Sequence, residues 1–553
     1  MIHHEPASFF LKPMKPSFPL LLFLALWATT SAGVPVTFTG RIVDSATAEP
    51  IAARLYIRAE SGQWFFPRSA SPVGSAISYR RQHGGNTNAV EQHTTLSAHP
   101  FVVDLPEGRY SLTVERGKEY RIVQTNIVVT SAPGMAHVFA LDRFVNMASM
   151  GWFSGDTHVH RTPDDLPNVQ LAEDVNVVLP VVHWATADSV APKDGPRNFK
   201  GDFLSGPVSV DQTHVYYPLN SEYEIFTTGG TNHTSGAFMI AHHKQPFDVP
   251  VFPLKRVVAL ARSQGALIDL EKHNWPWSVV IVPIVKPDLF ELANNHLWRA
   301  EFAVRKWAVP APDYMGLEHG GLETEKGWAL YGFQTYYALL NCGFRISPTA
   351  GTANGVHPVP LGFGRVYVHL AGEFSFDAWM QGLKAGRSFV TTGPMLIASI
   401  EGQLPGTRFE LAGNSTRTIR VQVHMANSGP ISKAEVVYNG KVISETEDPI
   451  AVSKGQARMI FERIRIDGPG WLAVRCWTET AMGRTQFAHS APFYFDRKGE
   501  SVAPSAEEAA FLIARAREEI DRSKALIPPE VLEEYHQSLK FYQSLKIRRA
   551  KRP

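Results

Sequence analysis

"SGDTHVHRTPDDLPNVQLAEDVNVVLPVVHW", residues 154–184, decides how the rest of the chain is read. An extended strand projects residues i and i+2 to the same face. His158 and His160 in "GDTHVH" therefore present two imidazoles to one point. Neutral imidazole suits borderline divalent metals such as Zn, Mn or Fe. The pair ends a strand and precedes a polar loop, and catalytic groups concentrate on loops at the C-terminal ends of parallel strands. One unit later, "VNVVLPVVHW" is a second buried strand that ends in His183. There a ligand stands beside the plainer reading of a capping or core histidine next to Trp184.

The alternation of strand and helix continues outward from this stretch. "PLKRVVALARSQG" is an amphipathic helix ending on Gly265, and "ALIDLEKHNW" is the strand after it. "WALYGFQTYYALLNCG" ends on Gly343, "RVYVHL" is a strand, and "FDAWMQGLKAG" is a helix. Residues 151–394 thus read as an α/β domain. Before it, residues 35–142 carry short β-branched and aromatic runs separated by turns, which predicts a β-sandwich. Its polar stretch "FPRSASPVGSAISYRRQHGGNTNAVEQHTT" reads as a loop over one end. After it, residues 395–495 return to β patterning as a second sandwich. Residues 505–553 form a helical basic tail, split at Pro528 and Pro529 and read as a solvated amphipathic segment.

The chain has 553 residues, 44% of them hydrophobic, which sets it among multidomain globular proteins. Its 54 basic and 52 acidic residues argue against broad capture of nucleic acid. "FPLLLFLALW" (Phe18–Trp27), preceded by Lys12 and Lys15 and followed by small residues, reads as a secretory signal over residues 1–32. That places the mature chain in a secreted or periplasmic setting, where Cys342 and Cys476 are free to pair or to stay as buried thiols.

Further candidate ligands lie at later strand ends. Glu222 and Glu224 share a face in "NSEYEIF", and Asp269, Glu271 and His273 share one in "IDLEKHNW". Polar groups on a core strand are costly unless paired or bound to metal. "YMGLEHGG" adds Glu318 and His319. His233, His242 and His243 are candidate general acids, and Arg365 and Lys272 candidate electrostatic groups. Trp184, Trp275 and Trp277 are candidates for lining a pocket. The patterns of P-loop, serine-hydrolase and zincin chemistry are absent.

"GDTHVH", "LLNCGFRISPTAGTANG", "GFGRVYVHL" and "WMQGLKAGRSFVTTGPML" resemble the CehA/McbA family of metallohydrolases, in the PHP superfamily. "GRIVDSATAEPIAARLYI" with "LPEGRYSLTVERG" resembles a carboxypeptidase regulatory-like domain. The first resemblance implies a distorted (β/α)7 barrel with divalent metals and hydrolysis of phosphoester, carbamate or amide bonds. It matches His158, His160, His183, Glu224, His273 and Glu318 to metal ligands, with Glu222 competing for the place of Glu224. The family's late motif carries an aspartate where "AGTANG" places Ala353, and a methyl group cannot coordinate a metal. Either the cluster lacks at least one metal, or Asn354 or His357 substitutes from the same loop. The expectation is a secreted metal-dependent hydrolase of a small-molecule or saccharide-like substrate, with His233 and Arg365 assisting. The alternative is a non-catalytic binding protein on a barrel that has lost a ligand, and association with the cell envelope fits either.

Overall fold

The computed structural model describes residues 35–548 apart from 132–135, 204, 304–308, 318–323 and 414. The expected signal segment and Glu318 lie outside the described residues.

In the central region seven strands pair in chain order. Trp152–Val159, Val177–Ala187 and Asn220–Thr228 run parallel. Ala237–Ala241 runs antiparallel to its neighbours on both sides. Leu267–Leu270, Leu289–Ala293 and Ser347–Ala350 resume the first direction. The seventh strand lies back against the first: Thr157 Oγ1 donates to the Ala350 carbonyl at 3.0 Å, and the His160 N–H to the Asn354 carbonyl at 2.8 Å. The C-terminal ends of six strands therefore gather on one side. Helices Leu254–Ser263, Glu325–Asn341 and Phe376–Lys384 end as expected, just before Gly265, Gly343 and Gly386, each in the left-handed region that favours glycine.

Toward the N-terminus two sheets enclose one apolar cluster that includes Phe38, Leu55, Phe101 and Leu112. The stretch expected as a loop is instead ordered by pairing. Ala76–Gln82 and Val90–Leu96 form an antiparallel hairpin, and Val90–Leu96 joins Ala53–Ala59. The reason lies in the central region, because the hairpin braces the late loop. Tyr79 Oη donates to the His357 carbonyl at 2.6 Å and accepts from the Gly355 N–H at 2.9 Å.

Toward the C-terminus, Ser388–Thr391 pairs with Thr485–Ser490, so sheet hydrogen bonding continues across residue 394. Cys342 and Cys476 are both buried free thiols, and burial pushes Cys476 up to about 12.

The tail is not a solvated segment. Helices Ala506–Ser523 and Pro529–Ser544 bury Phe511, Leu512, Ile520, Val531, Tyr535 and Tyr542 in the main core. Helix Leu254–Ser263 begins after Pro253 with no side-chain cap of its own. The Glu534 carboxylate of the tail accepts from the N–H groups of Leu254 and Lys255, both at 3.0 Å, and so satisfies donors that a helix start leaves free. Among the described residues no helix is long and apolar enough to cross a membrane.

Candidate metal centre

Trp152–Val159 carries His158 into the gathered strand ends, and His160 follows just past it. Their Nε2 atoms stand 3.1 Å apart. Glu222 Oε2, from the third strand, lies 3.6 Å from His158 Nε2 and 3.2 Å from His160 Nε2. A tetrahedral ion with bonds of about 2.1 Å spaces its donor atoms about 3.4 Å apart. The three separations bracket that value, so these residues fit a divalent ion.

The other face of the His158 ring is held in place. Its Nδ1 lies 2.9 Å from Glu291 Oε2 and 3.3 Å from Glu271 Oε2. A carboxylate on the second nitrogen fixes the tautomer that leaves Nε2 free to bind metal. The late loop passes tightly over this pair. A Cβ on Gly351 would stand 2.3 Å from His158 Cβ and 2.9 Å from Glu291 Cδ, so only glycine fits. Asp156 ties the same loop to the first strand, accepting from the Thr352 and Gly362 N–H groups at 3.1 and 2.8 Å. Glu291→Gln keeps the shape of the side chain but removes its charge; metal affinity measured by competition with a chelator should fall about 10–100-fold.

The charge balance points the same way. Glu222, Glu224, Asp269, Glu271 and Glu291 are all buried, and Lys272 is the ammonium among them. Burial, together with neighbouring Glu222 and Glu291, pushes the Glu271 carboxyl up to about 8 despite His158 and Lys272. Asp269 is raised well above the usual carboxylate range by burial and by Glu291 and Glu271. Burial pulls His158 down, yet Glu271, Glu291 and Glu222 outweigh it and hold the ring well above its ordinary value. Buried oxygens on Asp269, Glu271 and Glu291 have no hydrogen-bond partner. Five buried acids crowd round one ammonium and one imidazole, and buried polar groups need pairing or metal.

The structure sorts the other candidates. Glu224 lies beside the centre and pairs with Lys272 at 3.0 Å, but Glu222 is the one that reaches the histidines. His183 is not brought to the group: its strand runs on to Ala187, and Trp184, one position along, packs on His160 with ring centroids 4.4 Å apart. His273 also stands aside. The strand stops at Leu270 and Lys272 is left-handed (φ 49), so the alternation that would align His273 with Glu271 breaks. Its Nδ1 instead lies 3.1 Å from Asn294 Nδ2, against Trp328.

His233 meets Ser523 and Arg522 of the tail rather than the centre. Arg365 is a structural clasp whose guanidinium donates to the backbone carbonyls of Gly362, Glu173 and Asp174. His243 is engaged with Ser221, and His242 packs on Tyr217 and Phe376. Trp277 is covered by the tail, its Nε1 donating to Tyr535. The late loop supplies no acid: Ala353 is buried and its N–H donates to the His158 carbonyl at 2.7 Å. Asn354 Nδ2 donates to the Val359 carbonyl, and His357 packs against Trp298. Sequence reasoning missed Glu291 altogether. Its signal was a lone charge between Phe290 and Leu292 in a fully buried strand, which demands a partner.

No family model matches the chain, and no curated protein matches it. Among solved structures it is similar to the crystal structure of a two-domain protein from Bacteroides vulgatus containing a predicted PHP-like metal-dependent phosphoesterase. That alignment has 11% identity and a TM-score of 0.30, and covers 62% of this chain and 94% of that one. A likeness at that level leaves the reading of the centre to its own geometry.

Proposed function

We propose that the chain is a metal-dependent hydrolase whose ion is held by His158, His160 and Glu222. The observation that carries this is the count of converging donors. Structural zinc sites are closed by four protein ligands, whereas catalytic ones offer three and keep a position open. Three donor atoms converge here. A divalent ion so held supplies Lewis acidity and lowers the pKa of water toward neutrality.

The chain's own groups do the rest. Glu291 orients His158 through Nδ1. Glu271 stands beside the centre, against His158 Nδ1 and the Lys272 ammonium. Trp184 against His160 shields one side from water. The seven strands are read as a distorted (β/α)7 barrel flanked by two sandwiches, with phosphoester, carbamate or amide bonds in small-molecule or saccharide-like compounds as substrates. The apolar run Phe18–Trp27 supports export.

The test is to strip the full chain with a chelator and reload it with Zn, Mn or Fe. Bound metal is then measured, and aryl phosphates, carbamates and amides are assayed. Metal-dependent turnover of one class is expected. Ala353, which leaves the late loop without an acid, favours a second reading as a non-catalytic binding protein. Metal-free, inactive protein after reloading supports that reading and overturns the first.

A further inference from the structure

We propose that Lys272 is a built-in second cation of the centre, so that the site takes one divalent ion per chain and not two. The inference rests on the reading of His158, His160 and Glu222 as metal ligands.

Lys272 Nζ lies 3.1 Å from Glu222 Oε1, 3.0 Å from Glu224 Oε1 and 2.9 Å from Glu271 Oε2. The ammonium donates hydrogen bonds to Glu222 and Glu271 and forms an ion pair with Glu224. The residue is 4% exposed, and a buried charge is tolerated only with such complete pairing. The backbone is bent to bring it there. Lys272 has φ 49, a left-handed conformation that is unfavourable for an L side chain. The bend undoes the alternation that would turn Lys272 away from the face carrying Glu271.

Glu222 then divides its two oxygens. Oε2 faces the two histidines and Oε1 faces the ammonium. A carboxylate shared in this way between two neighbouring cations is the layout of a two-ion site, with one position filled by a side chain. Ala353 is an independent observation in the same direction. The late loop itself adds no anionic ligand for a second ion. The ammonium is covalently attached, so a chelator cannot remove it.

The experiment counts metal per chain by mass spectrometry after reloading with Zn, in the wild type, Lys272→Gly and Lys272→Arg. Glycine suits the left-handed backbone and empties the cage. One ion is expected in the wild type and in Lys272→Arg, and two in Lys272→Gly, a doubling of bound metal. Two ions in the wild type, or one in a Lys272→Gly chain that still unfolds cooperatively, overturn the proposal. If Lys272→Gly does not fold, the wild-type and Lys272→Arg counts decide: two ions in either overturn it. A wild type that binds no ion refutes the hydrolase reading itself, so the two failures are distinguishable.

Discussion

His158→Ala should strip the protein of stoichiometric metal and reduce hydrolytic turnover by at least about 100-fold, beyond the 10–100-fold typical of losing an outer partner. The magnitude follows from the ring's position between two sets of groups. Its Nε2 is one of three converging donors, and its Nδ1 meets Glu291 and Glu271. Removing it leaves two donors and takes an imidazole contact away from two buried carboxyl groups. His183→Ala is the matched control. That imidazole is not part of the converging group, so metal content and turnover should stay near wild type. Metal mass spectrometry and an aryl ester assay on both variants check this. Full metal in a folded His158→Ala chain, or metal lost in His183→Ala, would sink the assignment.

Truncation at Pro504 should abolish soluble folding. The tail buries seven large side chains, Phe511, Leu512, Ile520, Ile527, Val531, Tyr535 and Tyr542, against the main core. At about 1.5–3 kcal/mol each, their loss amounts to on the order of 10 kcal/mol. That is comparable with the whole stability of a typical domain, about 5–15 kcal/mol. The truncated chain also exposes the surface beneath and leaves the start of helix Leu254–Ser263 without Glu534. The expected outcome is insoluble protein, or soluble protein without a cooperative thermal transition in circular dichroism. An unchanged Tm would show that the helices dock without supporting the core.

The two results also mark how far the sequence alone reaches. Helix ends were legible because glycine at Gly265, Gly343 and Gly386 is a local signal, set by the backbone it alone adopts readily. The His158–His160 pair was legible because strand periodicity is local too. The tail was misread as solvated, since an amphipathic helix pattern states that one face is apolar but not what covers it.

The sequence by itself determined the three helix ends, several of the strands and the first two donors. Only the tertiary structure decided which acid joins them. Glu222 and Glu224 share a face in any strand, and the pairing of Glu222 opposite Trp184 is what sets Glu222 beside the histidines. His183 lost its place to Trp184 by one position, because a strand alternates faces with every residue. Glu291 reaches His158 across 133 residues, and Lys272 enters the carboxylate cage through one left-handed residue. Periodicity is fixed by the few bonds around each residue, whereas register and charge pairing depend on groups that meet only when distant strands pack together.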